Sequence, residues 1–140
     1  MVRCLSVRQP WAGLVVLGEK RIECRSWPTR YRGRILIHAG LRPAETSAAL
    51  VDAVPDHSEP ILQVRGAIIG YVDLIGCRPA TPEDGAAALC RVPEGWFAWL
   101  LNRPVHLQEP FPCRGRLGLP TVNPLLLAAC GIPIREQGRW

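Results

Sequence analysis

A chain of 140 residues, 48% of them hydrophobic, can bury a core without a metal or disulfide staple, and it reads as one domain over residues 1–140. No apolar run approaches the roughly 20 residues that cross a bilayer, and no signal-peptide h-region follows Met1, so the expected setting is cytoplasmic with no membrane contact. The six cysteines include no Cys-x-x-Cys pair and the three histidines lie apart, which points to reduced thiols, no metal and no cofactor.

Arg3 to Arg8 alternates as a first strand, with Leu5 and Val7 on one face. Pro10 opens a helix that runs to Leu17 and stops at Gly18. Arg21 to Trp27 follows as a strand, with Ile22 and Cys24 on one side and Glu23, Arg25 and Trp27 on the other. Gly33 to Ala39 is the next strand, apolar without a break at its centre, as expected where both faces are covered. Helical spacing covers Leu41 to Val54, and Pro55 to Gln63 reads as a loop. Val64 to Cys77 carries a strong strand pattern, bent by Gly66, Gly70 and Gly76. Thr81-Pro82-Glu83-Asp84 is a helix start. Trp96 to Leu101 and Val105 to Leu107 are two further strands, and Cys113 to Leu119 a last one. A short apolar helix follows, from the Thr121–Pro124 cap to about Cys130. The class is α+β: about six short strands in a small curved barrel, with three or four short helices.

Charge marks the functional stretch. Residues 1–34 contain eight Lys/Arg and two acids, whereas residues 35–140 carry a net charge of −1. A basic section on a near-neutral body points to a polyanion, of which nucleic acid is the commonest. Glu23, Arg25 and Trp27 should stand in a row: an Arg to hold a phosphate beside a Trp to stack a base. Glu23 either accepts from a base amine or fixes Arg25, and the plainer alternative is that the two merely pair. Lys20, just past the helix end, suits phosphate contact first, then a catalytic base or nucleophile, then a helix cap. Tyr31 within Arg30–Arg34 resembles a stacking ring in a backbone-tracking groove, and Arg8 with Gln9 sits where helix N–H groups suit an anion. Trp11 is assigned to the core, and Asp73, in an apolar strand, is either paired with an Arg or functional.

Three segments carry a family resemblance: Leu5-Ser6-Val7-Arg8-Gln9-Pro10-Trp11-Ala12, Gly18-x-Lys20-x-x-Glu23-x-Arg25-Ser26-Trp27, and Arg32-Gly33-Arg34-Ile35-Leu36-Ile37. Together with Gly70 to Cys77 they closely resemble the ASCH domain family, strongly to residue 39 and more loosely after residue 80. That resemblance implies a PUA-like fold with a cleft lined by the Gly-x-Lys-x-x-Glu-x-Arg motif, and binding of RNA or DNA. The expected ligand is a single strand or a nucleotide, contacted at phosphate by Arg8, Lys20, Arg25 and Arg32. Trp27 and Tyr31 would stack a base. Some small bacterial members resemble an amidohydrolase acting on N4-acetylcytidine, or a ribonuclease. The alternative reading is therefore a hydrolase with Lys20 as the catalytic residue, assisted by Glu23 or Asp73. Lys20 matches that group's motif lysine, but Glu23 stands where the group has a threonine. A third alternative is a protein partner docking on the Pro-rich region Phe111 to Pro133.

Overall fold

The computed structural model describes residues 2–44 and 59–133. Five strands, β1 (Arg3–Val7), β2 (Ile22–Arg25), β3 (Gly33–Ala39), β4 (Ala67–Pro79) and β5 (Phe97–Pro112), form one sheet in the order β1-β3-β4-β5-β2. Strands β1 and β3 are parallel, with Arg3 opposite Ile35 and Val7 opposite Ala39, while the other pairings are antiparallel. Among the described residues three short helices accompany them: α1 (Trp11–Leu17), α2 (Gly85–Ala88) and α3 (Pro124–Ala129). Among the described residues no helix is long and apolar enough to cross a membrane.

The sheet is curled into a barrel that does not close. Long strand β4 shifts register against β5 at three places, around Ile68/Gly70, Tyr71/Asp73 and Leu74/Gly76, and each irregularity adds local twist and bend. Gly70 is required at the first of these. A Cβ there would collide with the carbonyl oxygen of Val105 and lie 2.8 Å from the Val16 side chain. The curl carries β1 and β2, last in the sheet order on opposite sides, towards each other. They are bridged by a side chain rather than by a ladder: Arg25 Nη2 donates to the Ser6 carbonyl at 2.7 Å.

Helix α1 plugs the inside of the curl. Its Ala12, Val15 and Val16 bury against Leu5, Val7, Ile35, Ile37, Ile69, Val72 and Trp99, the main core. The helix starts one residue later than its sequence suggests, with Pro10 at the N-cap, and ends at Gly18 in the left-handed conformation (φ 85°), whose N–H reaches the Leu14 and Val15 carbonyls. The expected anion place at its start is already filled. Gln9 is buried, accepts from Gly13 N–H at 3.0 Å, and donates to the carbonyls of Ile61 and Val64 at 2.7 and 2.8 Å. Gln9 is a tie between elements.

Other boundaries moved for identifiable reasons. The two strands expected over 96–107 are one, because β5 passes Asn102-Arg103-Pro104 by letting Arg103 adopt φ 52° while pairing with β4 continues on both sides. The strand expected over Cys113 to Leu119 is absent: Cys113 N–H bonds to the Gly66 carbonyl, and no ladder follows. At Thr81 the chain makes a 3-10 turn over Pro82–Asp84 before α2, with the Asp84 carboxylate accepting from Thr81 N–H at 2.8 Å. Asn123 caps α3 through Leu125 N–H at 2.8 Å. Residues 41–44 are not helical, and the remainder of the helix expected over Leu41 to Val54 lies outside the described residues.

Candidate nucleic-acid interface

Where the barrel stays open there is a cavity of about 860 Å3, lined by both edge strands, by the segment after β2, and by residues from 90–96 and 114–117. Arg8, Lys20, Glu23, Arg25 and Trp27 all line it, so five of the seven side chains singled out in the sequence come together.

Their roles differ in detail. Lys20 is only 2% exposed. Its ammonium donates to the Ala88 carbonyl, lies 4.6 Å from the centre of the Trp11 ring, and stands 3.9 Å from Glu23 Oε1. The other Glu23 oxygen, Oε2, is 3.6 Å from Arg25 Nη2. Lys20, Glu23 and Arg25 therefore make a chain of alternating charge running from the wall to the cleft. Its innermost member faces protein, and its outermost is partly exposed. Arg25 Nε is buried without a hydrogen-bond partner among the described residues. Trp11 belongs partly to the core and partly to this wall.

Trp27 stands just past the end of β2. Its ring meets Trp99 edge-on at 4.7 Å, and Trp99, fully buried, donates its indole N–H to the Trp27 carbonyl at 3.2 Å. Such packing fixes the indole while leaving it partly open to the cleft.

Tyr31 and Arg32 do not reach the cavity. Tyr31 donates its hydroxyl to the Arg34 carbonyl at 2.7 Å, and the Arg3 guanidinium lies 5.6 Å over its ring. Arg32 donates to the carbonyls of Thr29 and Tyr31, at 3.0 and 2.8 Å. Arg34 is buried over the Tyr71 ring at 4.3 Å and donates to the Pro133 carbonyl at 2.6 Å. Arg32 thus holds the turn before β3, and Arg34 ties β3 to the segment after α3. Asp73 also lies elsewhere, buried on β4 with Arg103 Nη1 4.0 Å away.

Four further arginines line the cavity that the sequence reading did not single out: Arg42, Arg91, Arg114 and Arg116. Among the described residues the lining thus holds seven Lys/Arg side chains against one carboxylate, Glu23. Among the described residues, Arg8, Arg42, Arg91, Arg114 and Arg116 form no ion pair. Exposed apolar side chains, Leu41, Trp96 and Leu117, share the lining.

Two thiols complete the wall. Cys24 and Cys90 line the cavity beside Lys20 and bury against Ala88 and Ala98. A hydrogen bond between them raises the Cys24 thiol and lowers that of Cys90, with Lys20 also lowering the latter.

A family model for the ASCH domain matches residues 5–111. The chain belongs to the ASCH domain family. Activating signal cointegrator 1 of Mus musculus is 33% identical over 120 residues, and its Homo sapiens counterpart 32% over the same length, covering 80% of the chain in each case. The chain spans about a fifth (21%) of the length of these curated relatives. Among solved structures, the ASCH protein of Zymomonas mobilis superposes with a TM-score of 0.59 at 16% identity, covering 89% of each chain. A tyrosine-to-phenylalanine mutant of that bacterial protein gives 0.59 at 14%, covering 91% of this chain and 96% of that one. At such identities the likeness is one of fold, and it establishes the curled α+β, PUA-like architecture. Within that ASCH fold the Gly18–Arg25 motif supplies a helix stop, a buried cation, a buried carboxylate and a half-exposed arginine, in that order.

Proposed function

We propose that this ASCH domain binds a short single-stranded segment of RNA or DNA, or a nucleotide, in the open seam of its barrel. The observation that carries the reading is the lining itself: among the described residues, seven basic side chains to one acid around a partly exposed tryptophan. Association of ASCH domains with RNA binding points the same way. A volume of about 860 Å3 lies toward the top of the roughly 300–1,000 Å3 usual for small-ligand sites, which suits a few nucleotides rather than a duplex.

In this reading Arg8 and Arg25 hold phosphate, and the buried Nε of Arg25 gains a partner when a ligand arrives. Trp27 offers a fixed ring face to a base; such stacking is typically about 1–3 kcal/mol and tolerates any base. Lys20 and Glu23 act behind them by orienting Arg25, so the lysine expected from sequence to touch phosphate acts one layer back. Tyr31 and Arg32 have no part.

Fluorescence anisotropy with short labelled oligonucleotides, across a salt series, tests this. The logarithm of affinity should fall linearly with the logarithm of salt, by about 0.7 per phosphate contact for a single strand. Arg8→Ala and Arg25→Ala should each weaken binding and flatten that slope. Salt-independent binding, or two unchanged variants, would overturn the proposal. Turnover of N4-acetylcytidine that vanishes in Lys20→Ala would replace it with an amidohydrolase.

A further inference from the structure

We infer that residues 113–117 form a latched strap whose two arginines make a second phosphate subsite, on the β1 side of the seam. This rests on the nucleic-acid reading and says where the strand's next phosphate goes.

The latch is His38. Its Nε2 lies 2.8 Å from the Cys113 carbonyl, which can only accept, so that nitrogen carries the hydrogen. The opposite nitrogen, Nδ1, is then the acceptor for the Ser6 hydroxyl at 3.2 Å. His38 is 3% exposed and sits on β3; Ser6 is on β1; Cys113 follows β5. One imidazole thus joins the strap to the edge of the sheet. Gly115 closes the joint. A Cβ at that position would lie 2.8 Å from Ser6 Oγ and from both Cε1 and Nδ1 of His38, so the strap rests directly on the pair with no room for a side chain.

Arg114 and Arg116 flank that glycine. Both are exposed, both line the cavity, and neither is in an ion pair among the described residues. Arg8, two residues past Ser6, also lines the cavity. Past the Cys113 N–H bond to Gly66 the strap has no ladder hydrogen bonds, so the histidine contact, the approach of Ser6 Oγ to the Arg116 carbonyl at 3.5 Å and the close glycine approach set the position of its two guanidinium groups. Two guanidinium groups held on the cavity lining make a phosphate site additional to the one at Arg25.

Gly115→Ala provides a test that changes no charge. Its methyl group has to displace the strap from Ser6 and His38. Oligonucleotide affinity should drop about tenfold, the size expected when charge-assisted contacts are lost, and the salt slope should flatten by about 1.4, two contacts' worth. The surface double variant Arg114→Ala/Arg116→Ala, which does not touch the fold's interior, should show the same loss and the same flattening. Adding Gly115→Ala to it should cost nothing more. Full additivity of the two changes, or wild-type affinity in the arginine double variant, refutes the strap while leaving binding at Arg25 intact. Absence of binding by the wild-type protein refutes both proposals together.

Discussion

Lys20→Met is the substitution that best separates a keystone from a contact residue. Methionine keeps the length of the stem and its packing on Trp11, so the change removes the charge with little loss of volume. What disappears is an ammonium bonded to the Ala88 carbonyl and 3.9 Å from a buried carboxylate. Removing one partner of a buried pair costs about 3–5 kcal/mol when the other is left alone. Glu23 keeps Arg25 at 3.6 Å, which offsets part of that, so about 2–3 kcal/mol is expected from the pair. The cation–ring contact adds about 0.5–1 kcal/mol. At about 3–4 °C per kcal/mol for a chain of this length, Tm should fall by about 10 °C. The assay is thermal unfolding of the wild type, Lys20→Met, Glu23→Gln and the double variant. The double variant should recover about 1–2 kcal/mol relative to the sum of the singles, because the second change removes the stranded carboxylate. A Lys20→Met protein melting within about 2 °C of wild type, at strict additivity, would refute the reasoning and return Lys20 to the surface of the site.

Three further outcomes rest on particular contacts. Gly70→Ala should lower stability by about 3 kcal/mol or more in urea unfolding, since its methyl group meets backbone at Val105 and leaves the bulge no room to relax. Asp84, bonded to both guanidinium nitrogens of Arg78 at 2.8 and 2.7 Å and to Thr81 N–H, is held well below the usual carboxylate range. Its contribution is thus present above the ordinary carboxylate pKa of about 4 and lost as pH falls toward the depressed value. Asp84→Asn should cost about 1–2 kcal/mol at neutral pH, and the gap to wild type should narrow in acid. Cys90, lowered by Cys24 and Lys20, should be alkylated by iodoacetamide faster than Cys4 at neutral pH, because burial pushes Cys4 up to about 12. In Lys20→Met the Cys90 rate profile should move to higher pH.

Much of this was legible from local pattern. Period-two alternation located β1, an unbroken apolar run located β3, Gly18 marked the end of α1, and the alternation in β2 set Glu23 and Arg25 apart from Ile22. Tyr31 and Arg32 lie outside the cavity lining, which the sequence did not show because spacing within a turn does not say which way the chain leaves it. They spend their polar groups on the turn's own carbonyls. Arg42, Arg91, Arg114 and Arg116 escaped because they arrive from separate segments, each diluted by acids in any count along the chain. Only the curl of β4 gathers them, and that curl depends on register shifts and on Gly70 meeting Val105. The Ser6–His38 contact was beyond reach for the same reason: its partners are 32 residues apart.

The unclosed barrel has a consequence for solubility. β1 and β2 end the sheet, and such borders are where proteins recruit foreign strands into aggregates. The start of β1 is covered, since Cys4 N–H bonds to the Pro120 carbonyl, and the Ser6 carbonyl is taken by Arg25. The rest of the gap is fenced by like charges. Guanidinium groups that attract a polyanion would also repel a second copy of the same protein. Stripping the seam of its arginines should therefore produce a protein that self-associates, and bound nucleic acid would serve as a removable cover for the border it occupies.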